Sequence, residues 1–124
     1  MIEAIWTIEL VRGERNYGAG VLIFAGGRVF GGDADYYYIG RYALNGSRVS
    51  LRITVHRYGE TNPVDPPFPT KDPFDVEMAG QLEATQMVLV GTIVEEPEQS
   101  VTVIAKRRHE IPDMRGQQDL NKTR

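Results

Sequence analysis

The chain of 124 residues contains no cysteine. Disulfides, thiolate nucleophiles and thiolate metal sites are thereby excluded. A small domain that manages without disulfide staples points to a reducing compartment, so a cytoplasmic setting is expected. Histidine is scarce: His56 and His109 are the only two, and they lie too far apart in sequence to form a promising metal set. No apolar run approaches the roughly 18–20 residues that cross a bilayer as a helix. The opening Met1-Ile2-Glu3-Ala4 lacks the basic segment of a signal peptide, so no membrane association is expected. Positive charge is not in excess: 14 Lys and Arg stand against 17 Asp and Glu, a net charge of −3. That argues against direct nucleic-acid binding, which needs cations to replace phosphate counterions. No G-x-S-x-G, phosphate-binding loop or dinucleotide fingerprint occurs.

What is present is alternation. From Val49 apolar residues run Val49, Leu51, Ile53, Val55, and from Phe74 they run Phe74, Val76, Met78, Leu82, with polar residues between. Period two marks a strand with one buried and one wet face. Strands are expected over about 2–11, 17–24, 28–31, 35–43, 48–58, 74–83, 86–94 and 100–108. Ala25-Gly26-Gly27-Arg28 and Asn45-Gly46 read as hairpin turns, Gly31-Gly32-Asp33-Ala34 as a further turn, and Glu95 to Gln99 as the last one. Sequential strands usually pair, so the expectation is an all-β fold: an eight-stranded antiparallel up-and-down barrel of the lipocalin or calycin kind. Residues 1–111 form one domain, and the polar segment 112–124 reads as a flexible tail.

Residues 59–73 break the pattern with five of the seven prolines, Pro63, Pro66, Pro67, Pro69 and Pro73, and are expected to form an exposed loop. The seventh strand is apolar on both sides: Met87, Leu89 and Ile93 oppose Val88, Val90 and Val94. It requires cover on both faces. Either the proline-rich loop lies over it with Phe68 as plug, or Val88 and Val90 form a subunit interface.

The candidate chemistry is sparse. Asp33 and Asp35 form a D-x-D pair that reads as aspartate turn chemistry ahead of a cation site. His56 ends a strand in Val55-His56-Arg57-Tyr58, points away from the core side, and suits a cross-strand hydrogen bond to a tyrosine. An enzyme would require His56 and Asp33 or Asp35 within reach of each other. Tyr36, Tyr37, Tyr38 and Tyr42 form an aromatic belt, with Tyr37 opposing the other three; it serves barrel packing or a partner-binding patch. Lys106-Arg107-Arg108 reads as a solvated strand end. No catalytic residue, cofactor or metal ligand is assigned.

Several of these pieces occur together and in order: Gly18-x-Gly20-Val21-Leu22-Ile23, then Gly31-Gly32-Asp33, Tyr38-x-Gly40 and Val55-His56-Arg57-Tyr58. In order and spacing they resemble the GrlR-type family, negative regulators of type III secretion gene clusters in enteric bacteria. The resemblance covers roughly residues 1–58. It implies a lipocalin-like barrel, a homodimer, and structural roles in turns for Gly31, Gly32 and Asp33. It also implies a regulator that sequesters a transcription activator by protein contact. The family's acidic run before the fifth strand has no counterpart in Asn45-Gly46-Ser47-Arg48, so no activator-binding residue carries over.

The expectation is therefore a non-enzymatic cytoplasmic barrel that binds another protein, with Tyr36 to Tyr42 and the loop 59–73 as contact surfaces. The alternative is a carrier, since an eight-stranded barrel can hold one small hydrophobic ligand.

Overall fold

A computed structural model describes residues 1–59 and 72–112. It is all-β. Eight strands follow in sequence: β1 Ala4–Arg12, β2 Arg15–Ala25, β3 Arg28–Gly32, β4 Tyr36–Asn45, β5 Arg48–Arg57, β6 Phe74–Leu82, β7 Gln86–Ile93 and β8 Glu96–His109. Each pairs antiparallel with its neighbour, and β8 pairs with β1, so the sheet closes into a barrel with no crossover. Most of the proline-rich segment, Phe68 included, and the tail beyond Pro112 lie outside the described residues.

The turns follow their glycines. Ala25 pairs with Arg28 across Gly26 and Gly27, whose φ values of 57° and 81° are those of a two-residue turn with both central residues left-handed. At Asn45–Arg48 the central pair is Gly46-Ser47; only Gly46, at φ 61°, is left-handed, so glycine leads the turn and Asn45 closes the strand.

The inward face is apolar except at the Asp33 end, where the Tyr38 hydroxyl meets the Asp33 carboxylate. Trp6, Leu22, Phe24, Val29, Leu51, Ile53, Val76, Met87, Leu89 and Val103 belong to one core, and no polar or charged residue is buried among the described residues. Trp6, Phe24 and Tyr42 meet edge to face with centroids 6.2 and 5.2 Å apart, and the Trp6 indole donates to the Ile2 carbonyl at 2.9 Å. Eight strands leave an interior that side chains just fill. Closing so small a barrel brings neighbouring backbones together at inward glycines. A Cβ on Gly91 would lie 1.7 Å from the Glu77 carbonyl oxygen, and one on Gly31 1.8 Å from that of Val21.

Two expectations need correction. The last turn is shorter than Glu95–Gln99: β8 begins at Glu96, which pairs with Ile93, and the register then slips so that Thr92 faces Ser100. Pro97 sits within this bulge, where no ladder donor is needed. Gly31 and Gly32 are not turn residues but the end of β3, opposite Tyr38 and Tyr37; the turn begins at Asp33.

Candidate functional surface

The barrel end between β3 and β4 is organised by Asp33. Its Oδ1 accepts the backbone N–H groups of Asp35 and Tyr36, both at 2.9 Å, and its Oδ2 accepts the Tyr38 hydroxyl. The Tyr58 hydroxyl donates to the Asp33 carbonyl, and the Tyr58 and Gly59 N–H groups donate to the Asp35 carbonyl at 2.9 and 3.2 Å. This is the expected aspartate turn, extended into a clasp that ties β5 to the β3–β4 corner. Burial, reinforced by the Asp33 hydrogen bond and charge, pushes the Tyr38 hydroxyl far above its ordinary range; burial likewise raises Tyr36. Among the described residues no group of three or more His, Asp or Glu could hold a metal.

His56 takes no hydrogen bond in this clasp. It faces outward from β5 and stacks on Tyr37, its cross-strand partner, with centroids 4.7 Å apart and planes 8° apart. The expected tyrosine partner is there, but the contact is ring on ring. Asp33, meanwhile, directs its carboxylate to the inward Tyr38. Asp33 and His56, one of the two candidate base–carboxylate pairs, thus point to opposite faces of the sheet. His109 ends β8, with Nδ1 2.6 Å from the Glu110 carbonyl.

The tyrosine belt divides. Tyr36 and Tyr38 are buried inside the barrel, and Tyr42 packs against the core. Tyr36 and Tyr38 are too buried to present a partner-binding surface; Tyr42 is half-buried, and of the four only Tyr37 is exposed, beside Tyr58. The reason is register. Tyr38 pairs with Val55 and Tyr42 with Leu51, both inward on β5, which forces those tyrosines inward too.

Inside, the cavity beside Tyr38, Ile53 and Met78 measures about 30 Å³, room for a water molecule and no more. A small pocket of about 100 Å³ opens at the Asp33 end between Tyr17, Asp35 and Tyr36. Neither approaches the roughly 300 Å³ at which ligand pockets begin.

The outer face carries what sequence reasoning missed. Ile5 faces Ile23, Ile23 faces Phe30, and Phe30 faces Ile39, so four strands align one apolar row. Phe30 and Ile39 are 39% and 56% exposed. Val21 and Tyr37 flank the row, on either side of Gly32. The signal was available: Val21-Leu22-Ile23-Phe24 is apolar on both faces, as β7 is, and Phe30 and Ile39 continue its outward side. A second apolar area lies on β7, where Val88 and Val90 are 40% and 54% exposed beside Ile104 and Ala79. The expected cover, Phe68, is outside the described residues. Between the two areas runs a shallow trough of about 580 Å³ across β4 to β7, floored by Ala43, Ser50 and Ala79 and edged by Arg41, Arg52 and Glu77. Arg52 pairs with Asp75 at 2.9 Å and Glu77 at 3.1 Å. Thr54 and then Arg52, hydrogen-bonded to the Asp75 carboxyl, hold it below its ordinary value. At the basic run, Arg108 donates to Thr7 at 2.7 Å and Arg107 to the Met1 carbonyl at 3.3 Å.

No helix among the described residues is long and apolar enough to cross a membrane. An apolar interior under a partly charged outer face also inverts the pattern of a transmembrane barrel, whose apolar band faces out. Compared with protein-family models and with curated proteins, the chain matches none.

Proposed function

We propose that this chain is a non-enzymatic β-barrel that acts by binding another protein, in the manner of the GrlR-type anti-activators it resembles, as a homodimer in the cytoplasm. The observation that carries this reading is the aligned apolar row on the outer face of β1–β4. Exposed apolar areas of this kind on folded proteins mark interaction sites. Two further observations support it. The interior is filled by its own side chains, which leaves a carrier nothing to carry without repacking. The Asp33 carboxylate is occupied by turn and tyrosine donors, while His56 stacks on Tyr37 on the outer face, so Asp33 and His56 are not joined as an acid–base pair. For the homodimer, the outer face of β7 supplies a second apolar area separate from the first.

Light scattering coupled to native mass spectrometry tests the reading. The expected result is a dimer without added mass, which Val90→Glu converts to monomer with an unchanged melting temperature. A monomer carrying a small molecule would overturn it in favour of the carrier. Affinity capture supplies the partner: a protein retained by wild type and lost on Ile39→Glu supports binding through the row, and repeated recovery of none would sink the proposal.

A further inference from the structure

The apolar row has an electrostatic frame, and the frame selects a partner. One row along the strands from Phe30 and Ile39 stand Arg28 and Arg41, directly opposite each other across β3 and β4. Both are exposed, and neither side chain has an ion pair or hydrogen bond among the described residues. Like charges placed directly opposite on neighbouring strands oppose folding. The next member of the same row, Arg52, is answered by Asp75 and Glu77; Arg28 and Arg41 are not. On the other flank of the row, Thr7 pairs with Lys106 and takes a hydrogen bond from Arg108, and Tyr37 stacks on His56. Of the nearby carboxylates, Asp75 is engaged by Arg52 and Thr54, and Glu3 accepts the Gly26 N–H at 2.6 Å. The result is an apolar stripe bordered by two exposed arginines whose side chains have no direct carboxylate partner among the described residues.

Resting on the protein-binding reading above, we infer that this face takes an acidic amphipathic segment of the partner. Apolar side chains of the segment lie along Ile5, Ile23, Phe30 and Ile39, and carboxylates on one flank meet Arg28 and Arg41. The dimensions suit it. Three strand spacings make the row about 14 Å long, and the arginine row lies about 7 Å to one side, two residues along each strand. Carboxylates there form charge-assisted, bidentate pairs with guanidinium groups. A second copy of the chain is a poor occupant, because its own face brings the same arginines and no opposing carboxylate row. A nucleic acid would answer the arginines and leave the apolar row bare.

The test uses a labelled synthetic helix peptide with leucines on one face and glutamates beside them, against the full chain, by fluorescence anisotropy. The expected result is saturable binding that weakens with salt, and about a tenfold weaker affinity for Arg41→Glu, the scale of one lost charge-assisted contact. A peptide with lysine for glutamate binds only the Arg28→Glu/Arg41→Glu protein. Arg28→Glu alone removes a like-charge pair, so it raises the melting temperature while lowering affinity, a split that a structural role would not produce. Equal binding of the acidic peptide to wild type and the doubly reversed protein, no binding at all, or preference for anionic phospholipid vesicles would each overturn the inference. A native partner captured by wild type and by the doubly reversed protein alike would sink this inference and leave the protein-binding reading standing.

Discussion

Replacing Asp33 by alanine is expected to cost about 3 kcal/mol. The figure follows from the clasp. Asp33→Ala removes the acceptor of the Tyr38 hydroxyl, on a side chain only 6% exposed; a buried donor left without a partner costs about 1–3 kcal/mol. It also removes the acceptor of two backbone N–H groups at the β3–β4 corner, which water reaches in part, at about 0.5–1 kcal/mol each. For a domain of this length about 3 kcal/mol lowers the melting temperature by roughly 12 °C. Tyr38→Phe keeps the turn and loses only one hydroxyl contact, so it costs about 1 kcal/mol, or roughly 4 °C. Asp33→Asn retains the oxygen that holds the two N–H groups and falls between them. Thermal unfolding by circular dichroism measures all three. The double variant Asp33→Ala/Tyr38→Phe supplies the critical number: once the hydroxyl is gone its unmet donor is gone too, so the double variant is less destabilised than the sum of the singles by about 1 kcal/mol. Strict additivity, or an Asp33→Ala melting temperature within about 2 °C of wild type, would refute the view that Asp33 and Tyr38 form one unit.

Alkaline stability follows from the same tyrosines. Burial raises Tyr36 and Tyr38 above the ordinary 10.0; the unfolded chain therefore releases protons first, and stability falls as pH climbs past about 10, by up to about 1.4 kcal/mol per pH unit for Tyr38. Denaturant titrations at pH 9 and 11 check the slope, which Tyr38→Phe makes shallower. At the acid end the sign reverses: Asp75, held below 3.8 by Thr54 and Arg52, contributes stability that is present above that value and lost as pH falls beneath it. Thr54→Val reduces this acid dependence, and an unchanged acid limb would contradict the assignment. Gly91→Ala drives a methyl group against the Glu77 carbonyl, a backbone atom that cannot swing aside, and costs about 3 kcal/mol or more; a melting temperature near wild type would show that the strands give way there.

The sequence determined the fold class by itself, because period-two alternation and glycine turns are local properties and each strand carries its own. Eight strands and their order were legible to within a few residues. Strand β8 was read short, because Pro97 looks like a turn residue until the bulge opposite Ile93 shows that its missing N–H is not needed. What alternation cannot say is which side of a strand the barrel closes on when both sides are apolar. In β4, Tyr36 and Tyr38 compete with Tyr37 and Ile39; pairing of Tyr38 with Val55 and of Tyr42 with Leu51 settled the matter, sending Tyr36 and Tyr38 inward and leaving Ile39 outside. The outer row is likewise a tertiary product. Ile5, Ile23, Phe30 and Ile39 lie on four strands and become neighbours only through register, as do Arg28 and Arg41. Side-chain identity along one strand is written in the chain, but the company a side chain keeps across strands is decided by hydrogen-bond register, and one residue of slip would send each of them to the opposite face.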